Sequence, residues 1–403
     1  HGQMEEQDAG RMIALMGDAE LDEGNIYECL IEGYKHDIRN CWWVVDYNRQ
    51  SLDSTTADRM FRRFDDIFET CGWRVVTLKH GKLQQEVFAR PGGAAIADWI
   101  DNCPNAEFAA LTYQGGAAWR ERLMADLGNA TDVAALIASF DDAGLAHLMT
   151  NLGGHCIESL IEAFDGVQDD QPTLFIAYTV KGYGLPLAGH KDNHSGMMNP
   201  GQIDQLRTSL GIAEGAEWAP YGGLGDNQAA LLRDFVANSP LAHKPRDWDA
   251  PLIPVPDHLP VPASDAQSTQ AAFGNILLDL AKSDAPLADR IVTTAPDVTQ
   301  TTNLGAFVNQ RGLFRRSETV DVFRAAKIPS AQKWDGHAAG QHMELGIAEN
   351  NFFLALTSLG LAGPHFGTRL IPIGTVYDPF IARGLDALNY GCYSDARFLL
   401  VGT

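Results

Sequence analysis

What the chain lacks narrows its chemistry first. Basic residues are scarce: 30 Lys and Arg stand against 52 Asp and Glu among 403 residues, a formal charge of −22. Nucleic-acid backbones and anionic membranes are gripped by basic patches, so neither is expected as a partner. Any phosphate-bearing ligand must then be held locally, by backbone amides or a metal ion. The six cysteines, Cys29, Cys41, Cys71, Cys103, Cys156 and Cys392, include no short CxxC pair of the kind that marks a zinc or redox site. Reduced thiols and a cytoplasmic setting are the simplest expectation. No apolar run, Phe352 to Ala362 included, approaches the ~20 residues of a membrane helix. Neither a secretory signal nor a short-period repeat is visible. The chain opens on His1 and closes on a strand-like Phe398-Leu-Leu-Val-Gly-Thr403, so it reads as a fragment missing an N-terminal and a C-terminal part.

What is present is globular: 45% hydrophobic and 20% charged residues favour a folded core. The length, at roughly 150 residues per domain, asks for at least two domains. Apolar strand-like runs at Met12 to Met16, Cys41 to Val45, Trp73 to Leu78 and Thr173 to Val180 alternate with helical spacings around Ile26 to Tyr34, Ala57 to Thr70 and Ile157 to Phe164. That alternation predicts a parallel sheet covered on both faces. Prolines then gather at 245, 251, 254, 256, 260 and 262, which predicts an extended linker. Beyond it the alternation resumes, with helices at Thr269 to Ser283, Leu345 to Ser358 and Pro379 to Leu388, and strands at Arg290 to Thr294, Leu370 to Ile373 and Arg397 to Val401. The expected architecture is two doubly wound α/β domains, 1–221 and 265–403, joined by a Pro-rich linker, 222–264.

Asp18 and Asn48 each follow the carboxyl end of an expected parallel strand, where ligands of open α/β sheets collect. A carboxylate, an amide oxygen and the carbonyl of Gln50 are hard oxygen ligands suited to Mg or Ca. Amides of the turn at Gly17, Asp18, Ala19 and Glu20 offer a phosphate seat. Taken alone, these acidic residues would do no more than cap a helix.

The joint pattern is more specific. Gly17-Asp18-Ala19-Glu20-Leu21-Asp22-Glu23, followed by Val45-Asp46-Tyr47-Asn48-Arg49-Gln50-Ser51-Leu52-Asp53, resembles the thiamine diphosphate motif of the transketolase superfamily. It is most similar to the homodimeric pyruvate dehydrogenase component of 2-oxo acid dehydrogenase complexes. Asn151-Leu-Gly-Gly-His155, Tyr178-Thr-Val-Lys181-Gly-Tyr-Gly184, His190-Lys-Asp-Asn-His194 and Gln341-His-Met-Glu-Leu-Gly-Ile-Ala-Glu349 resemble further segments of that family in the same order. Ala19 departs from the usual third-position Gly, and a negative φ there would accommodate it. The resemblance implies two thiamine diphosphate-binding domains, with thiamine diphosphate and Mg2+ as cofactors. It implies an oxidoreductase of the pyruvate dehydrogenase (acetyl-transferring) type that decarboxylates a 2-oxo acid, pyruvate first, and passes the acyl unit to a lipoyl group. It also implies a homodimer partnered by a lipoyl-bearing acyltransferase. Asp18, Asn48 and Gln50 fall on the metal site, and Gly17, Ala19, Glu20, Lys181, Tyr377 and Phe380 on the cofactor. Glu349 is the expected activating acid, buried and facing the pyrimidine, with His190 and His194 on an active-site loop, and Asp297 resembles an acidic residue near the active centre. Transketolase-type ketol transfer between sugar phosphates, or a catalytically degenerate member acting by interaction, are the alternatives.

Overall fold

Continuous apolar runs must be buried on both faces, and in the N-terminal half four of them pair side by side. The computed structural model describes residues 10–51, 55–58, 60–239, 242, 250–262, 264 and 266–403. Leu52 and Asp53 of the motif and Pro245 of the linker lie outside these. Strands β1 (Met12–Gly17), β2 (Cys41–Tyr47), β3 (Arg74–Leu78) and β4 (Thr173–Tyr178) form a parallel sheet in the order β1-β2-β4-β3. All six residues of β4 are buried, as a central parallel strand requires. The helix Ile157–Asp165 lays Leu160 and Phe164 on Trp42 and Phe175 of this sheet. β1 lies at the sheet edge and leaves Met12 and Leu15 65% and 79% exposed, where burial on both faces was expected. Gly17 pairs with Asp46, and Tyr47 with Tyr178, so Asp18, Asn48 and the Thr179–Lys181 turn all emerge at the same carboxyl end of the sheet.

Between β3 and β4 the chain inserts six helices from Lys82 to Thr150 that the strand pattern did not announce. Reversals at Gly92 and Gly115, with φ of 82° and 87°, break this segment into short helices rather than a long one.

In the C-terminal half, β5 (Ile291–Pro296), β6 (Leu313–Phe314), β7 (Gly336–His337), β8 (His342–Leu345), β9 (Ile371–Val376) and β10 (Leu399–Gly402) form a second parallel sheet, in the order β10-β9-β5-β8-β6-β7. Several boundaries differ from expectation, three of them by more than end effects. Leu345 ends strand β8, and the helix begins only at Glu349 and runs to Gly360. The expected helix at Pro379 to Leu388 is a 3-10 turn, Asp378–Gly384, followed by the helix Leu385–Tyr393. The expected linker contains the helix Asp226–Asn238.

The chain divides into two compact units. One comprises Gly10–Glu23 and Ile38–Ala242, and the other joins Gly24–Asp37 to the described residues from 250 onward. The helix Gly24–Lys35 therefore belongs with the C-terminal sheet although β1 immediately precedes it. Its Glu28 accepts the Asn351 N–H at 2.9 Å, and Glu32 accepts the Gly346 N–H at 3.1 Å. These carboxylates satisfy donors near a helix N-terminus, where negative charge is favoured. No single helix among the described residues is long and apolar enough to cross a membrane.

Candidate functional site

Asp18 is the first residue of a 3-10 turn, Asp18–Asp22, that leaves β1 directly. It is 3% exposed, and its Oδ2 accepts the Arg49 N–H at 2.7 Å. Burial pushes the carboxyl up to about 6, aided by the Asp46 charge and opposed by backbone N–H groups of Arg49 and Ala19. No cationic side chain among the described residues pairs with it. Ala19 is not among the non-glycine residues with positive φ, so the turn tolerates its methyl group. Glu20 is exposed, and its Oε1 accepts the Gly17 N–H at 2.9 Å. The structure thus gives Glu20 a capping role in this turn.

Asn48 follows β2 in an Asx turn, its Oδ1 accepting the Gln50 N–H at 3.0 Å. Between them Arg49 adopts φ 66°, a left-handed conformation that costs a long side chain energy and turns its N–H toward Asp18. Gln50 is buried and donates its Nε2 to the Gly189 carbonyl at 3.1 Å. Lys181 donates to the Ser51 carbonyl at 2.8 Å, which ties the end of β4 to the chain after Asn48. His155 accepts the Val180 N–H at 2.8 Å and stacks on Tyr183 with centroids 3.8 Å apart. Burial lowers its pKa, which keeps the accepting nitrogen free of a proton.

The segment expected to carry the loop histidines is tied down: the Asn193 side chain donates to the carbonyls of Lys181 and Leu187, at 2.8 and 2.7 Å. His190 packs edge-on against Tyr113, and its Nδ1 accepts the Asp192 N–H at 3.1 Å. His194 is exposed. Among the described residues no hydrogen bond or ion pair joins either histidine to Asp18 or Asn48.

In the other unit, Glu349 opens its helix at 4% exposure. Its Oε1 accepts from Arg383 Nη1 at 2.8 Å, and the Arg383 guanidinium lies 4.1 Å over the Phe380 ring. Gly384 permits this approach, since a Cβ there would stand 2.3 Å from Phe353 and 2.8 Å from the Glu349 carbonyl. Tyr377 lies 6.1 Å from Phe380, centroid to centroid, and donates its hydroxyl to Thr301 at 2.6 Å. Asp297 is exposed after β5 at φ 59°. Glu344 lies on β8, bonded to Thr299 and to the buried His342, whose Nε2 is 2.7 Å away. Glu344 therefore shares no helix with Glu349.

Each seat, taken by itself, is compatible with the group that the sequence motifs imply. Among the described residues no cluster of three or more His, Cys, Asp or Glu offers a metal site. A cation at the buried Asp18 would instead draw on the Asn48 amide oxygen, the Gln50 carbonyl and ligand oxygens, a donor set for Mg rather than Zn. At Glu349 a flat N–H donor, the Arg383 guanidinium, already lies on Phe380 and bonds the carboxylate. An aminopyrimidine could lie on the same ring face, with a ring nitrogen accepting a hydrogen bond from the acid form of Glu349. Arg49, His155 and Arg383 are the residues that sequence reasoning did not single out. Arg49 and His155 stand inside motif segments without a role of their own, and Arg383, three residues beyond Phe380, carried a signal as a cation beside an expected aromatic wall.

No family model matches the chain. It is 24% identical over 417 residues to a pyruvate dehydrogenase E1 component of Cupriavidus necator, covering 98% of this chain and 45% of that protein. It is 22% identical over 413 residues to the one of Corynebacterium glutamicum, covering 96% and 44%. The chain thus spans a little under half the length of these relatives. The transketolase of Leishmania mexicana has the same fold at a TM-score of 0.53 and 16% identity, over 98% of this chain and 47% of that one. The transketolase of Campylobacter jejuni matches at 0.52 and 15%, with the same coverage. The names of these relatives agree with the resemblance carried by the motifs, and the structural likenesses speak for the fold.

Proposed function

We propose that the chain is the core of a thiamine diphosphate- and Mg-dependent enzyme that decarboxylates a 2-oxo acid, with pyruvate the favoured substrate, and passes the acyl unit to a lipoyl group. The observation that carries this reading is Asp18: a buried carboxylate without a cationic partner among the described residues, at the carboxyl end of β1 beside Asn48 after β2. Its relatives are named for the same activity, and Leu21-Asp22-Glu23, Asn48-Arg49-Gln50 and Asn151 to His155 favour it over ketol transfer.

In this reading Asp18, Asn48 and the Gln50 carbonyl hold the cation, and the turn Gly17 to Glu20 lies along the diphosphate. When bound, the cofactor supplies an electron sink for the pair left behind as CO2 departs. Phe380 and Tyr377 wall the pyrimidine. Glu349 would hold a proton against a ring nitrogen of the pyrimidine, in the place that Arg383 takes here. Lys181, bonded to Ser51, keeps the mouth of the site in place, and His190 and His194 meet the substrate from their loop. A homodimer, a lipoyl-bearing acyltransferase partner and a cytoplasmic setting belong to the same proposal.

The test supplies the purified protein, thiamine diphosphate and Mg with pyruvate and an artificial electron acceptor, and in parallel with a ketose and aldose phosphate pair. Pyruvate-dependent acceptor reduction supports the proposal. Ketol transfer alone would move the chain to transketolase chemistry, and neither reaction in cofactor-loaded protein would leave an interaction role.

A further inference from the structure

A cavity of about 300 Å3 lies among Tyr47, Arg49, Phe61, Lys79, Asn105 and Tyr178. Arg49 is 8% exposed, so its guanidinium is a charge taken out of water, which is costly unless it is paired. Its flat face rests 3.8 Å from the Phe108 ring, but that stack uses none of its N–H donors. No carboxylate among the described residues pairs with it. Asp101 is taken by Lys79, and Asp58 accepts the Asn105 N–H at 2.9 Å. Asp18 receives the backbone N–H of Arg49, not its side chain. The left-handed backbone at Arg49 adds strain to this isolation, and strain of that kind collects where a side chain is held for a ligand.

Tyr178 lines the same cavity, and its buried hydroxyl has no hydrogen-bond partner among the described residues. Burial raises its pKa, so it remains a donor. Buried hydroxyls and guanidinium groups are rarely left unsatisfied without a reason. The walls are aromatic: Tyr47 lies 4.8 Å and Phe61 5.7 Å from the Tyr178 ring, centroid to centroid. Beside Asp58 and the Lys79–Asp101 pair, which also line it, the cavity combines a fork of planar donors, one hydroxyl donor and apolar ring faces. That combination matches a planar carboxylate attached to a small organic body better than a hydrated tetrahedral ion. Its size is at the lower end of small-molecule pockets, which limits the body to a few carbon atoms or one ring.

We propose that this cavity is a binding site for a small organic carboxylate, whose oxygens pair with the Arg49 guanidinium and accept the Tyr178 hydroxyl. The test needs neither thiamine diphosphate nor Mg, so its outcome is separable from the enzymatic reading. Acetate, benzoate and inorganic phosphate are titrated into the protein by calorimetry, with ionic strength held constant by chloride. Saturable carboxylate binding is expected, with phosphate about tenfold weaker. Tyr178→Phe keeps the ring and removes only the hydroxyl, and it should weaken the carboxylates about tenfold. Arg49→Met should abolish the binding, and because that variant alters the fold's interior, circular dichroism and the thermal midpoint accompany it. No saturable carboxylate binding, phosphate binding as tight as acetate and benzoate, or unchanged affinity in a folded Tyr178→Phe protein would each overturn the proposal.

Discussion

Asp18 and Glu349 are both carboxylates at element N-termini, 3% and 4% exposed, yet they keep opposite company. Asp18 is met by a backbone N–H, at 2.7 Å, and by no cationic side chain among the described residues. Glu349 is met by the Arg383 guanidinium at 2.8 Å. Burial alone therefore does not define a functional carboxylate; its partners do. The first seat lacks positive charge and suits a cation. The second already holds a flat N–H donor against an aromatic face, so a pyrimidine must displace Arg383 to reach the carboxyl group and the ring.

The sharpest break in this comparison comes at Glu349. Glu349→Gln keeps the shape of the seat but removes the acid, so deuterium exchange at the thiazolium carbon of bound thiamine diphosphate should slow by about 10² to 10⁴. Exchange followed by NMR isolates that step from the choice of substrate. Equal rates in parent and variant would assign the activation elsewhere. At Asp18 the expected loss is in binding. Outer-shell partners of metal ligands are worth about 10- to 100-fold in affinity, so Asp18→Ala should cost more than about 100-fold in thiamine diphosphate affinity in Mg buffer. Unchanged affinity by calorimetry would show that Asp18 is not a ligand.

How legible each seat was in the sequence follows from how local it is. Asp18 and Asn48 close apolar strand runs, so Gly17-Asp18 and Tyr47-Asn48 could be placed at a sheet's carboxyl end by reading a few residues on either side. The company they keep was not legible. Arg383 reaches Glu349 across 34 residues, and no periodicity records that contact. The left-handed Arg49 backbone is a tertiary outcome of bonding Asp18, 31 residues away. Strands β6 and β7 hold two residues each, too short for an alternation to register. Extending the Glu349 helix back to Leu345 failed because Leu345, at helical spacing from Ala348 and Phe352, also alternates with Met343 at strand spacing, and both pair with β5. The helix Gly24–Lys35 followed β1 in sequence, and tertiary bonds such as those of Glu28 and Glu32 to Asn351 and Gly346 reveal its allegiance.

A smaller effect sharpens the contrast at the Arg383 pair. Arg383 is half exposed while Glu349 is buried, so removing the cation leaves the more costly remnant. Arg383→Met should destabilise the protein by about 1 to 3 kcal/mol in urea denaturation, the cost of a buried polar group left unpaired. Adding Glu349→Gln to that variant should recover part of the loss, because the amide carries no charge to strand. Additive losses in the double variant would mean that the two side chains do not act as a pair.

The smallest effect concerns the scaffold of the Asp18 seat and depends on pH. His155 accepts the Val180 N–H through Nε2, and a proton on that nitrogen would break the bond. Burial lowers the folded pKa below the ordinary 6.5. The unfolded chain therefore takes up a proton before the folded one does as pH falls. The stability contributed by neutral His155 is fully present above about 6.5 and is lost below it, as pH falls toward the folded pKa. A glutamine at this position has an amide oxygen that can accept the same N–H and does not titrate. Urea midpoints of the parent and of His155→Gln, measured at about pH 7.5 and about pH 5.5, isolate this contribution. The parent should lose more stability than the variant between the two. A difference between the proteins that stays constant across this range would show that the imidazole is not held in its neutral form, and the Val180 contact would then not be what fixes the turn leading to Lys181.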